Sequence, residues 1–148
     1  MKAVIQRVSQ AAVSINGDEY SRIDQGYLVL LGIEKGDNDT NASVLAKKII
    51  DLRIFEDNNG KMNLGLRDIE GDVLVISQFT LCTDNTKSGN RPSFTLAEEP
   101  AEANRIYEFI VDEMKNYYDA VRIKTGIFAA EMKVSLTNEG PVTIILER

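Results

Sequence analysis

Four consecutive β-favouring apolar residues, Val73, Leu74, Val75 and Ile76, constrain this chain more than any other stretch. A strand with one wet face alternates apolar and polar residues. An unbroken apolar run, bounded upstream by Gly71 and Asp72, reads as a strand buried on both faces, and it requires structure packed on either side of it. The run stops at Ser77, Gln78, Phe79 and Thr80. Two hydroxyls and an amide gather there, and strand alternation sends Ser77 and Phe79 to one side and Gln78 and Thr80 to the other. A strand emerging into an ordinary polar loop has the same signature, so these residues alone leave a functional site unproven.

The rest of the sequence supplies the covering layers. With 148 residues, 43% of them hydrophobic, the chain fits one domain over residues 1–148, a size that buries roughly 68–70% of its unfolded surface. Ala3 to Val8 and Ala11 to Ile15 are β-rich, and Asn16-Gly17 predicts a tight hairpin turn because both positions tolerate positive φ. Tyr27 to Ile33 reads as a second buried strand, in which Gly32 signals a close backbone approach or bulge. Residues 41–53 carry Leu45, Ile49 and Leu52 at helical spacing behind the capping candidates Asp37, Asp39 and Thr40. Asp57 to Gly60 marks a turn before a short strand at Lys61 to Leu64. Pro100, after Glu98 and Glu99, starts a second helix whose buried stripe is Ala103, Ile106, Ile110, Met114 and Tyr117. Val121 to Thr125, Glu131 to Leu136 and Val142 to Leu146 read as closing strands. The pattern predicts an α+β fold, with antiparallel sheets forming a barrel-like core and two main helices packed on it.

Composition excludes whole classes of chemistry. The chain contains no histidine, which removes the commonest general base and the commonest metal ligand together, and with them any Ser-His-Asp or Cys-His mechanism. Cys82 is the single cysteine, so no intrachain disulfide or multi-thiolate metal site forms, in keeping with a reducing cytoplasm. No leader or membrane span is expected. A formal net charge of −6 opposes a broad nucleic-acid footprint, so such contact must be local. Lys87, Gly89 and Arg91 in the polar loop from Thr83 to Arg91 offer either a phosphate contact or a solvated surface, and Lys124 and Lys133 are further candidates for a basic patch. Arg7 interrupts the first strand, as a rim charge or as an orienting group.

Gly140-Pro141 separates the last two β runs. Proline donates nothing to a ladder and restricts its predecessor, so the step forces a bend; taken alone, such a bond is trans. With this pair in place the chain resembles the D-aminoacyl-tRNA deacylases of the bacterial and eukaryotic type, also called D-tyrosyl-tRNA deacylases. The resemblance runs from Met1-Lys2-Ala3-Val4-Ile5-Gln6-Arg7-Val8 through Asn63-Leu64, Ser77-Gln78-Phe79-Thr80 and Arg91-Pro92-Ser93-Phe94 to Asn138-Glu139-Gly140-Pro141-Val142-Thr143. Two positions depart from the family pattern: Ala129 stands where glycine is usual, and Glu139 where aspartate is usual.

The resemblance implies hydrolysis of the ester joining a D-amino acid to the 3′-terminal adenosine of tRNA, with glycyl-tRNA, including glycine mischarged on tRNA-Ala, as a further substrate. It implies a cytoplasmic homodimer that needs no cofactor or metal. Ser77, Gln78, Phe79 and Thr80 are the implied catalytic residues, and Gly140, Pro141, Arg7 and Met132 bind substrate and select its chirality. It further implies a cis Gly140–Pro141 bond that projects into the site of the other subunit. Thr80 lacks a histidine to activate it, so the favoured mechanism uses the ribose 2′-hydroxyl and the backbone amides of Phe79 and Thr80. The rival reading is a non-catalytic nucleic-acid-binding module holding an adenosine end in the same pocket; a purely structural subunit leaves the two motifs without a common explanation.

Overall fold

The computed structural model describes residues 1–86 and 88–148. In chain order, β1 (Lys2–Ile15), β2 (Asp18–Ile23) and β3 (Gly26–Gly32) precede α1 (Asp39–Ile50). A small hairpin of β4 (Phe55–Glu56) and β5 (Met62–Leu64) and the single turn α2 (Leu66–Ile69) lead to β6 (Asp72–Ser77). A 3-10 turn at Phe79–Cys82, the long α3 (Pro100–Tyr117), a second 3-10 turn at Ala120–Arg122, β7 (Ile123–Thr125) and β8 (Lys133–Glu147) complete the chain.

The long first strand organises the sheet. Along one edge β1 pairs with β3 and then with β2, and along the other edge with β8, all antiparallel. The Asn16-Gly17 turn forms as expected, with φ of 54° and 95°, and joins β1 to β2 in a two-residue hairpin. The sheet then continues from β3 to β6 and from β6 to β7. Ser21 of β2 donates its hydroxyl to the carbonyl of Thr125 in β7 at 2.8 Å, which nearly closes the sheet into a barrel. The α+β architecture with two main helices is therefore as expected. The sheet itself is mixed, because β6 runs parallel to both β3 and β7. Each of those strand pairs is linked through a helix, α1 or α3, and a crossover of that length returns the chain in the same direction.

Two pairs of predicted strands are each one strand in the structure. Ala3 to Val8 and Ala11 to Ile15 fuse into β1, and the runs on either side of Gly140-Pro141 fuse into β8. The predicted bend survives as a register break: Gln6 pairs with Thr143 and Val8 with Asn138, so the stretch from Glu139 to Val142 faces Arg7 alone and bulges out of the ladder. The strand β2 lacks a clear sequence signal because of its six residues only Ile23 is buried.

The unbroken apolar run of β6 is buried as predicted. Val73 and Val75 pack into the core beneath α1 and α3, with Ile5, Tyr27, Val29, Leu45, Ile49, Ile106 and Ile110. Leu74 and Ile76 point the other way, into the barrel, with Val8, Val13, Ile23 and Leu28. Each such side chain stabilises the fold by about 1.5–3 kcal/mol through burial. Helix α1 starts one residue from the expected caps: the Asn38 side chain accepts from the Asn41 amide at 3.1 Å, while Asp37 is engaged by the Glu34 amide at 2.7 Å. Pro100 opens α3 as expected, and Tyr107 ties that helix to β6 by donating to the Val75 carbonyl at 2.8 Å.

Gly32 ends β3 where the 3-10 turn crosses it. A Cβ there would lie 3.0 Å from Leu81 Cβ and from Cys82 Sγ, and 3.1 Å from the Gln78 carbonyl oxygen, which is the close approach the sequence signalled. Gly32→Ala is expected to lower stability by about 1–3 kcal/mol through overpacking and to displace the turn, measured as a shifted urea midpoint with reduced activity of the remaining folded protein.

Candidate functional site

The site is built where β6 leaves the sheet. The Gln78 amide still donates to the Leu31 carbonyl at 2.8 Å, extending the ladder one residue beyond Ser77. At Gln78 the backbone then leaves strand geometry, with φ −143° and ψ 82°, and the chain enters the 3-10 turn. Alternation therefore ends there. Ser77, Gln78 and Phe79 all line one cavity of about 500 Å³, together with Ile76, and are not divided between two faces as an extended strand would divide them.

The remaining walls come from two distant segments. Ala97, Glu98, Pro100 and Ala103 bring the start of α3, while Phe128, Ala129, Ala130, Met132 and Val134 bring the connection from β7 into β8. The parallel β6–β7 pairing makes this possible, and the Gly126 amide extends it by donating to the Val75 carbonyl at 3.2 Å. Met132 thus lines the same cavity as Ser77, Gln78 and Phe79. No local sequence signal marks Glu98 or Phe128: the first has the pattern of a helix lead-in, and the second lies in a segment with no motif, so only the fold places them at the cavity. Phe79 remains 57% exposed and meets Phe94 edge-on at 5.1 Å, which folds the loop after the signature back over it.

Neither a histidine nor a thiolate is present here to activate a side-chain hydroxyl. Thr80 is exposed and lies outside the cavity lining; its hydroxyl oxygen accepts from Gln78 Nε2 at 2.5 Å, and its carbonyl accepts from the Thr83 hydroxyl at 2.6 Å. Cys82 is buried, donates to the Ile33 carbonyl at 3.3 Å, and has its thiol pushed up to about 11 by burial, so it holds no thiolate at neutral pH. Glu98 is the one ionisable side chain among the lining residues, and one of its oxygens accepts from the Glu99 amide at 2.8 Å. Phe79 and Thr80 begin the 3-10 turn, where amides have no acceptor within the helix.

Arg7 and Gly140–Pro141 form a separate cluster. The Gly140–Pro141 bond is cis. Arg7 is only 6% exposed, which excludes a rim charge. Its Nε donates to the Glu139 carbonyl at 3.0 Å and its Nη1 to the Ile54 carbonyl at 2.6 Å, with Glu56 3.9 Å away. A Cβ on Gly140 would lie 3.1 Å from Arg7 Nη2, so the guanidinium braces the bulge. The Glu139 carboxylate accepts from Gln25 at 3.4 Å.

Register separates this cluster from the cavity. Arg7 pairs with Tyr27 and Tyr27 with Val73, whereas Ser77 pairs with Leu31 and Leu31 with Ala3. Four residues of strand correspond to about 13 Å, and the three strand spacings from β8 to β6 add about 14 Å across the sheet. Neither Gly140 nor Pro141 lines the cavity of its own chain. Of the basic candidates, Arg91 is exposed, Lys133 is exposed beside Met132, Lys124 is half-buried on β7, and Lys87 lies outside the described residues.

Comparison with known proteins agrees over the full length. The sequence model of a family described as D-Tyr-tRNA(Tyr) deacylase matches residues 4–147. A D-aminoacyl-tRNA deacylase of Geotalea daltonii is 54% identical over 147 residues, covering 99% of this chain and 96% of the relative. One of Pelobacter propionicus is 54% identical over 148 residues, covering 100% of both. A solved structure described as c-Myc DNA Unwinding Element Binding Protein superposes with a TM-score of 0.94 at 40% identity, covering 100% of this chain and 99% of the other. A probable eukaryotic D-amino acid tRNA deacylase superposes with a TM-score of 0.81 at 16% identity, covering 98% and 97%, and shares the fold.

Removing the Arg7 brace tests its part in holding the bulge. Arg7→Met leaves two carbonyls without their donor and is expected to destabilise the protein by about 2 kcal/mol or more, read from urea unfolding, whereas an exposed charge at that position would change stability by less than about 0.5 kcal/mol.

Proposed function

The chain belongs to the D-Tyr-tRNA(Tyr) deacylase family, and on that premise we propose how its residues carry out the hydrolysis of D-aminoacyl-tRNA. The observation that carries the reading is the turn at Gln78, which gathers Ser77, Gln78 and Phe79 at one apolar cavity without any histidine or thiolate. The cavity receives the 3′-terminal adenosine and sets the ester carbonyl beside the turn. Water adds to that carbonyl; the amides of Phe79 and Thr80 stabilise the developing oxyanion. Collapse breaks the bond to the ribose 3′-oxygen, which takes a proton, and releases the free D-amino acid. The neighbouring 2′-hydroxyl assists the attacking water, filling the place of the missing side-chain base. Ser77 and Gln78 hold the turn and the substrate, and Met132 packs against the bound group.

Chirality is selected by a second copy. The separation of Gly140–Pro141 from the cavity of its own chain supports a homodimer in which the bulge of the partner subunit closes the site. Rigid carbonyls there exclude the L side chain whatever its identity. Glycine carries no side chain to exclude, so glycyl-tRNA, including glycine on tRNA-Ala, is also hydrolysed. The absence of a membrane-crossing helix among the described residues and the soluble substrate fit action in the cytoplasm.

The 40% identical structure described as a DNA-unwinding-element binding protein favours a second reading, a module that binds nucleic acid without turnover. The net charge of −6 opposes it. Release of amino acid separates the two: turnover of D- but not L-aminoacyl-tRNA supports the deacylase, and tRNA binding without turnover of either supports the module. Within the deacylase reading, Thr80→Ala is expected to keep substantial activity, and complete loss with fold and tRNA binding intact would make Thr80 the nucleophile. A tRNA ending in 2′-deoxyadenosine is expected to react about a hundredfold or more slowly, and an undiminished rate would remove the ribose from the mechanism.

A further inference from the structure

Three residues other than glycine have positive φ among the described residues: Asn16, Glu70 and Ala129. The first two have local explanations. Asn16 sits in the β1–β2 hairpin turn, where asparagine tolerates this conformation, and Glu70 is the C-cap of α2. Ala129, with φ 59°, has no polar side chain to bond its own backbone, and its methyl crowds the carbonyl that follows. The strain is not offset by burial, since Ala129 is exposed at the mouth of the cavity it lines.

The surrounding segment is fixed. At its start, a Cβ on Gly126 would lie 2.5 Å from Met132 Sδ and 3.0 Å from Ile76 Cδ1, so Gly126 is pressed against the cavity wall. The Ala130 amide donates to the Ile127 carbonyl at 3.3 Å, and the Phe128 ring packs against Tyr107 with centroids 6.0 Å apart. A methyl on this wall cannot swing aside when a ligand arrives; it either contacts the ligand or obstructs it.

We propose that the Ala129 methyl is a specificity-determining contact for the terminal base of the tRNA, narrowing the cavity mouth against the edge of adenine. This rests on the reading that the cavity holds the terminal adenosine. The chemistry of the walls fits a flat heteroaromatic ring: Phe79 and Phe128 offer aromatic surfaces and Met132 a thioether. Identity fits as well. The acyl groups of the substrates vary while the terminal nucleoside does not, so an enclosing, size-selective wall belongs against the invariant part.

The test compares kcat/KM for D-tyrosyl-tRNA ending in adenosine with the same tRNA ending in 2-chloroadenosine or N6-methyladenosine. Wild-type protein is expected to prefer adenosine. Ala129→Gly, which removes both the methyl and the strain, is expected to keep or raise the thermal midpoint and to improve at least one enlarged base by about tenfold relative to adenosine, mainly through KM, as one methyl group in a fitted pocket warrants. A preference that is unchanged, or a loss equal for all three termini, would overturn the proposal. If wild-type protein hydrolyses none of the three, the deacylase reading itself fails, an outcome distinct from an unaltered preference.

Discussion

The structure depends on burying one strand on both faces. Val73 and Val75 require α1 and α3 above them, and Leu74 and Ile76 require a sheet that curls round beneath. Once these layers are in place, the end of β6 is the point where the chain must pass from a sealed interior to the surface. Leu31 fixes that point by accepting the Gln78 amide, and Gly32 leaves room for the turn that follows. The cavity is thus a consequence of the core: Ile76, the last apolar residue of the buried run, lines it, and its walls are the start of α3 and the segment that follows β7, a parallel neighbour of β6.

Much of this was legible in the sequence, for reasons tied to particular residues. The apolar run, the Asn16-Gly17 turn, the stripe of α3 and Pro100 at its start are local signals of period, turn chemistry and capping, and each appears where expected, whereas the helix expected over 41–53 ends at Ile50 and leaves Leu52 beyond it. Parallel pairing was not legible, because direction depends on how a helix crosses over, and residue patterns within a strand do not encode it. The polar strand β2 escaped because its partners, not its own residues, supply the burial. In the site, Ser77, Gln78, Phe79 and Met132 line one cavity, whereas Thr80 does not. Glu98, Phe128 and Ala130 join them only through tertiary structure. For Arg7 the sequence pattern fits a rim charge and an orienting group equally, and its burial with two carbonyl partners is a tertiary property.

A chain without histidine limits how an ester can be cleaved. The one cysteine is sealed under the turn with its thiol pushed up to about 11, and the threonine hydroxyl is engaged by Gln78. Glu98 is the one ionisable side chain at the cavity, and the proposed mechanism relies instead on shape, backbone amides and the hydroxyl that the substrate carries beside its own ester. Such a site gains specificity from rigidity: groups held in place reject a misplaced substrate without any recognition of its side chain. The same reasoning makes the Gly140–Pro141 bulge, braced by a buried arginine, suited to a filter based on carbonyl oxygens.

On the proposed mechanism the site is composite, with the turn after β6 from one chain and the bulge from another. It is tested most directly by a crystal structure of the protein with a non-hydrolysable 3′-amide analogue of D-tyrosyl-adenosine. In a composite site, adenosine occupies the cavity lined by Ser77, Gln78 and Phe79, with the analogue's α-carbon facing the Gly140 and Pro141 carbonyls of the partner subunit. An analogue held wholly within one chain, with Gly140–Pro141 turned to solvent, would contradict it.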